Sequence, residues 1–173
     1  MAKSTANRGL KFEARIQNKC EWLRQQGIAL IEKIPTDFKI IRNGTRIVSA
    51  FPVAKTRTCD FLGVIQGKAI SIEAKETQNK TSFPFSNIKE HQIIYQELFS
   101  GLGGLSYYLI HFSTLKEVWL VPNHVMRYWR NNLNRKSIPH DEFINNKECC
   151  LLDYEDLNFH TYITGEINIL NYN

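Results

Sequence analysis

The sequence predicts an α/β fold in which a mixed β-sheet is flanked by helices on its faces. Three observations lead there. Apolar residues recur at helical spacing near the start and again beyond residue 86, short β-rich runs separate and follow these helices, and Gln66-Gly67 stands between two alternating runs as a two-residue hairpin turn. A length of 173 residues, 43% hydrophobic and 23% charged, suits one globular domain with a sizeable core.

Leu10, Ala14, Ile16, Cys20 and Leu23, with Phe12 and Trp22 beside them, predict a helix from Gly9 to about Gln26 that Gly27 stops. Ile28 to Ile34 reads as a short strand ended by Pro35. Two more strand-like pieces, Phe38 to Arg42 and Ile47 to Phe51, join at Asn43-Gly44. The Gln66-Gly67 hairpin follows, with Gly63 read as a twist or bulge point. Residues 76–85 are polar and end in Phe83-Pro84-Phe85, which reads as a loop. Ser86 is expected to cap a helix from about Asn87 to Ser100, with Glu90 near the capping-box position and Gly101 to Gly104 as the stop. Leu105 to Phe112 and Glu117 to Val121 are further strands, and Pro122 opens a helix through Trp129 and Arg130. The remainder is expected to be irregular apart from a short helix near Asp141 to Asn146.

The hairpin carries the chemistry. A two-residue turn at Gln66-Gly67 pairs positions whose numbers sum to 133, so Asp60 faces Glu73 and Thr58 faces Lys75. Alternation stands those four residues on one face and Cys59, Phe61, Ile65, Ile70, Ile72 and Ala74 on the other, a chemical face and a core face. Two carboxylates whose Cβ atoms lie roughly 5 Å apart repel unless a cation or a shared proton sits between them, and a divalent metal is the simplest remedy. Asp followed by Glu-x-Lys on a paired strand also meets the needs of metal-dependent phosphodiester hydrolysis. The carboxylates hold the ion, while Lys75 either offsets the extra negative charge or lowers the pKa of the attacking water. The spacing alone is a weak signal, because a solvated hairpin face carries the same residue types.

Charge is unevenly placed. Residues 1–136 hold 21 Lys and Arg against 10 Asp and Glu, whereas residues 137–173 hold one Lys against seven acids. A basic body with an acidic tail points to a polyanion partner, most simply nucleic acid. Lys33, Lys39, Arg42, Arg46, Lys55 and Arg57 cluster in and around the insertion against Asp37 alone, which suggests a DNA-contacting projection. The four cysteines form no CxxC pair and read as packing residues, not as a zinc site, and the five histidines are scattered without a nucleophile or metal pattern. No apolar run is long enough to span a membrane and the first residues are polar, so a cytoplasmic protein is expected.

More specific strings surround the hairpin. Phe61-Leu-Gly63, then Glu73-Ala-Lys75-Glu76-Thr-Gln-Asn-Lys80-Thr-Ser-Phe83-Pro84-Phe85 and Asn87-Ile-Lys-Glu90-His91-Gln92, closely resemble the signature of the RecU family, Holliday junction resolvases of the PD-(D/E)XK nuclease superfamily. The similarity continues through Asn7-Arg-Gly9, Phe12-Glu13, Lys33-Ile-Pro35-Thr36, Glu117-Val-Trp-Leu-Val-Pro122 and Lys136-Ser-Ile138, and is loosest over the last 30 or so residues.

The resemblance implies one nuclease domain over residues 1–173 with a restriction-endonuclease-like core. Residues 1–8 would form a flexible basic arm, about 35–57 a basic stalk-like insertion that enters the junction centre, and about 137–173 the acidic tail. The insertion is shorter than the family's stalk, which bears on junction selectivity. Such enzymes cut four-way DNA junctions symmetrically as homodimers in recombination, repair and chromosome segregation, using Mg²⁺, with Mn²⁺ as an admissible substitute. By the same resemblance the metal falls on Thr58, Asp60, Glu73 and Gln92, with Asp60, Glu73 and Lys75 as the catalytic residues and Lys75 as transition-state stabiliser. Glu13 is a secondary candidate, since related nucleases send a first-helix carboxylate toward the metal. Phosphate contacts are expected from Lys3, Arg8, Lys11, Arg15, Arg42, Arg46, Lys55, Arg57 and Lys80. A recombinase or a branch-migration motor is an open protein partner. The competing functions are a nuclease of the same superfamily acting on other duplex or branched DNA, and a non-catalytic DNA-binding or recombinase-modulating module.

Overall fold

A computed structural model of the chain describes residues 6–35, 38–52 and 58–171. Helix α1 (Ala6–Gln25) ends where Gly27 adopts a positive φ of 67°, as the sequence predicts. Strand β1 (Ala29–Lys33) is followed by β2 (Phe38–Asn43) and β3 (Arg46–Pro52), which pair antiparallel as a two-stranded sheet of their own, with a register shift between Ile41 and Arg42. The main sheet takes β1, β4 (Phe61–Ile65), β5 (Lys68–Thr77), β7 (Leu105–Phe112), β8 (Glu117–Pro122) and β10 (Cys150–Leu152). Their order is β1-β4-β5-β7-β8-β10, with β5 and β7 parallel and the other pairs antiparallel, so the sheet is mixed as expected.

Helices cover both faces. Phe12, Ile16, Cys20 and Leu23 of α1, with Phe159 and Ile163 of α5 (Phe159–Asn171), bury against Phe61, Ile72, Leu109 and Leu120. On the opposite face Tyr108, Ile110, Trp119 and Val121 pack beneath α2 (Glu90–Gly101), α3 (Asn123–Asn132) and α4 (His140–Asn145), where Trp129 and Phe143 bring their rings to 5.0 Å.

Four details depart from the sequence reading. Residues 82–84 are not loop: β6 (Ser82–Pro84) pairs with β9 (Ser137–Pro139), two prolines tolerated because both strands are short and edge-like. Ser86 lies in a 3-10 turn over Phe85–Asn87, and α2 starts later, at Glu90, with Lys89 at its cap position. The acidic remainder is ordered into β9, α4, β10 and α5. Gly63 marks no bulge, for both of its ladders run without a shift; its constraint is steric, since a Cβ there would meet the Leu30 carbonyl oxygen at 2.0 Å and Ile31 Cα at 2.5 Å.

Candidate functional site

The hairpin register is as the turn chemistry requires. Phe61 pairs with Ile72 and Ile65 with Lys68, and Gln66 and Gly67 both hold positive φ, 46° and 77°. Asp60 sits just before β4 begins. Its backbone carbonyl accepts the Ile34 N–H at 2.8 Å and its carboxylate Oδ2 accepts the Ala74 N–H at 2.9 Å, so it is fixed at the end of the ladder beside Glu73.

The face carrying Glu73 is itself covered, which the division into a core face and a chemical face did not anticipate. Glu73 is 0% exposed. On β5 its neighbour Ser71 bonds Gln96 of α2 at 2.5 Å and Ser106 at 2.8 Å, so the second face is a polar core roofed by α2. Cys59 also departs from alternation. The bends at residues 58–60 turn its thiol to Tyr95 of α2 and into the field of Glu73, while it donates to the Phe61 carbonyl oxygen at 3.0 Å. Burial pushes that thiol up to about 11, which makes it a packing group and not a nucleophile.

Around Glu73 the expected residues converge. Lys75 Nζ donates to Glu73 Oε1 at 2.5 Å, and the Gln92 amide nitrogen donates to the same oxygen. The Gln92 carbonyl oxygen accepts the Lys89 N–H at 2.9 Å, so Gln92 caps α2 as well. Burial pushes Glu73 up to about 8; the Lys75 ammonium opposes the rise and the Asp60 carboxylate adds to it. Glu73 Oε2 and Thr58 Oγ1 are buried without a hydrogen-bond partner. Glu73 Oε2, orphaned beside the Asp60 carboxylate, suits a divalent cation with oxygen ligands, and Thr58 Oγ1, two residues before Asp60, is a second orphaned oxygen of that kind. Among the described residues no three His, Cys, Asp or Glu side chains cluster for a metal, and a set with two carboxylates would be completed by Thr58 and Gln92 oxygens.

Glu13 does not join Glu73. It pairs with Lys33 at 2.8 Å and lines a cleft of about 410 Å³ with Gly9, Lys75, Glu76, Gln78 and Asn87. The cleft opens onto Lys75, and its Glu76, Gln78 and Asn87 were not singled out in the sequence, where nothing but the neighbouring motif marks them. Beneath it, His111 lies between Phe12 and Tyr154 with Nδ1 3.4 Å from Glu76 Oε2 and neither nitrogen hydrogen-bonded, so it is a buried histidine that packing leaves unsatisfied.

The basic residues divide. Lys11, Arg42, Arg46 and Lys80 are exposed, the two arginines on the β2–β3 hairpin. Arg15 is engaged instead by Tyr154: its guanidinium stands 4.4 Å over the ring and donates to the Tyr154 carbonyl oxygen. Lys3, Lys55, Arg57 and the side chain of Arg8 lie outside the described residues. Among the described residues no helix is long and apolar enough to cross a membrane.

Comparison with known proteins gives this geometry its relatives. The profile of the RecU family, Recombination protein U, matches residues 7–163. A Geobacillus sp. (strain WCH70) protein named Holliday junction resolvase RecU is 38% identical over 144 residues, 79% of this chain and 72% of its own. The protein of the same name from Geobacillus kaustophilus is 35% identical over 158 residues, 87% of this chain and 79% of its own. The solved structure of Archaeoglobus fulgidus Hjc, a Holliday junction resolvase, overlaps 68% of this chain and 74% of that one at a TM-score of 0.40 and 11% identity, a likeness too slight to bear on fold or function. With the profile running from the first helix into the last, the chain belongs to the RecU, or Recombination protein U, family.

Proposed function

We propose that the chain is a Mg²⁺-dependent endonuclease that cuts DNA four-way junctions symmetrically in recombination, repair and chromosome segregation, acting as a homodimer because a junction offers two scission points related by a two-fold axis. Family membership supports the activity, and one observation carries the site: Glu73, fully buried, holds one oxygen to Lys75 and Gln92 and leaves the other unpartnered beside Asp60.

Thr58, Asp60, Glu73 and Gln92 would hold the ion, with Mn²⁺ able to replace Mg²⁺. When bound, such an ion polarises the phosphate and acidifies a water. The protein's own groups do the rest. Asp60 is oriented by the Ala74 N–H. Burial and Asp60 disfavour the charge of Glu73, so that holding a cation there would release a proton from it. Lys75, at the cleft and on Glu73, stabilises negative charge developing on the phosphate. Gln92 would hold the ion through its side-chain oxygen, which in the metal-free protein accepts the Lys89 N–H. Lys11, Arg42, Arg46 and Lys80, with Lys3, Arg8, Lys55 and Arg57, neutralise phosphates without reading bases. We read residues 1–173 as one nuclease domain in which the hairpin within residues 35–57 is the stalk.

The test is cleavage of labelled four-way junction, replication-fork and linear duplex DNA with Mg²⁺ or EDTA. Paired symmetric nicks in the junction alone, abolished by EDTA, are expected. Equal cutting of linear duplex would replace the substrate assignment, and band shifts without cutting would remove the enzymatic one.

A further inference from the structure

The cleft beside Lys75 has its floor on the end of β5 and walls from two parts of the chain. Gly9 and Glu13 of α1 form one wall; Pro84 and Asn87, from β6 and the 3-10 turn after it, form the other. The second wall is backed by the segment that leads into β9. Pro84 pairs with Ser137, and the Lys136 carbonyl accepts the Phe85 N–H at 3.1 Å. At the far end of the same turn the Phe85 carbonyl accepts the Ile88 N–H at 3.0 Å, and Lys89 follows. The turn therefore stands between Lys136 and Lys89, and its Asn87 lines the same cleft as Lys75.

Residues 133–136 are held out at this rim. Leu133 packs on the core beneath α3 and Ile138 is fully buried, so both ends of the loop are pinned, and the Arg135 N–H bonds the Leu133 carbonyl at 2.7 Å. Between the pins Asn134, Arg135 and Lys136 are all exposed. Residues 118–140 hold four Lys and Arg and no Asp or Glu. Arg130 is turned to Glu97 at 3.5 Å and Glu90 at 4.0 Å, whereas exposed Lys89, Arg135 and Lys136 meet no carboxylate among the described residues. Like charges gathered around one turn repel each other and gain stability when an anion meets them.

We propose that Lys89, Arg135 and Lys136 form a phosphate-binding ridge that holds the DNA strand entering the cleft and so places the phosphate that reaches Lys75. Their charge matches a polyanion, their exposure leaves the ridge open to one, and the pinned loop fixes where the contact falls. Contacts of this kind set the register of the strand without reading its bases. Arg135 and Lys136 are positioning residues, for they act on cutting through the placement of the strand. The ridge rests on the reading of the cleft as a DNA-cutting site and gives that site a strand path.

Binding is read on the full chain with EDTA present, apart from any cutting. Gel-shift titrations of a labelled four-way junction over a range of salt compare the wild type with the double variant Arg135→Gln/Lys136→Gln. The double variant is expected to bind at least about 10-fold more weakly and to lower the slope of log affinity against log salt by about 2, with its melting temperature unchanged. Arg135→Lys/Lys136→Arg, which keeps both charges, is expected to retain the wild-type slope. A second arm neutralises single phosphates of the junction core as methylphosphonates. The wild type should lose affinity at phosphates flanking the scissile one, where the double variant loses none. Equal affinity and slope in the wild type and the double variant would overturn the proposal, as would one methylphosphonate profile shared by both. A ridge that passes both arms in a protein that cuts no junction with Mg²⁺ would be upheld, and the functional reading removed.

Discussion

Gln92 donates its amide N–H to Glu73 Oε1 while its carbonyl oxygen accepts the Lys89 backbone N–H at 2.9 Å. One side chain thereby fixes both the first turn of α2 and the buried carboxylate, so replacing it should have two separable effects. Gln92→Ala is expected to cost about 1 kcal/mol of stability through the lost cap, read by thermal or urea unfolding. It should also raise the Mg²⁺ concentration for half-maximal cleavage by roughly 10- to 100-fold. An unchanged metal requirement would leave Gln92 as a cap alone.

Glu73 makes the metal-free protein sensitive to pH. The folded chain keeps a proton on Glu73 up to about 8, whereas the unfolded chain releases it near 4.5, so stability falls as pH rises through that window. With EDTA present, Glu73→Gln is expected to melt above the wild type at pH 8.5 and level with it below pH 4.5. Mg²⁺ at 100-fold its dissociation constant should add about 2.7 kcal/mol to the wild type, roughly 5–10 °C in melting temperature, and nothing to Glu73→Gln. An equal rise in both would remove Glu73 from the ligand set.

Chemistry and binding should part at the hairpin. Asp60→Asn and Lys75→Ala are each expected to slow junction cleavage at least 100-fold, the scale of removing a group that stabilises developing charge, while junction affinity changes by no more than about twofold. Single-turnover cleavage and gel-shift titrations measure the two. Wild-type cleavage by Asp60→Asn would defeat the metal assignment.

The salt dependence of binding tests the stalk. If Arg42 and Arg46 each contact one phosphate, replacing both with Ala should lower the slope of log affinity against log salt by about 2. A slope equal to that of the wild type would place the DNA elsewhere.

Much of this architecture is legible in the sequence because it rests on local rules. Gln66-Gly67 sets the turn, the turn sets the pairing, and the pairing puts Asp60 beside Glu73. What escaped depends on distant partners. α5 contains β-branched residues and Gly165, a weak helix former by propensity, and becomes helical where Phe159 and Ile163 find the α1 side of the core. β6 is a three-residue strand that exists because Ser137–Pro139 lies beside it. The burial of Glu73 was hidden for the same reason, since period-two alternation tells which residues share a face and says nothing of the helix that covers it. Gln92 looks like polar helix surface until Glu73 is seen beneath it.

Gly63 offers a further check on how closely β1 and β4 approach. Gly63→Ala would drive a methyl into the Leu30 carbonyl and Ile31 Cα, and a loss of about 1–3 kcal/mol is expected by chemical denaturation. A neutral substitution would mean that β1 can move away from β4.

The pairing of β6 with β9 bears on the order in which the molecule is made. Phe83, between the β4–β5 hairpin and α2, is fully buried against Ile138; the Lys136 and Thr81 carbonyls close that small sheet through the Phe85 and His140 N–H groups. These partners lie more than fifty positions apart, so a nascent chain still lacking its C-terminal quarter cannot form this small sheet. A ribosome partway through this message would thus hold the β4–β5 hairpin with its carboxylates in register while the segment that leads into α2 is still unpaired.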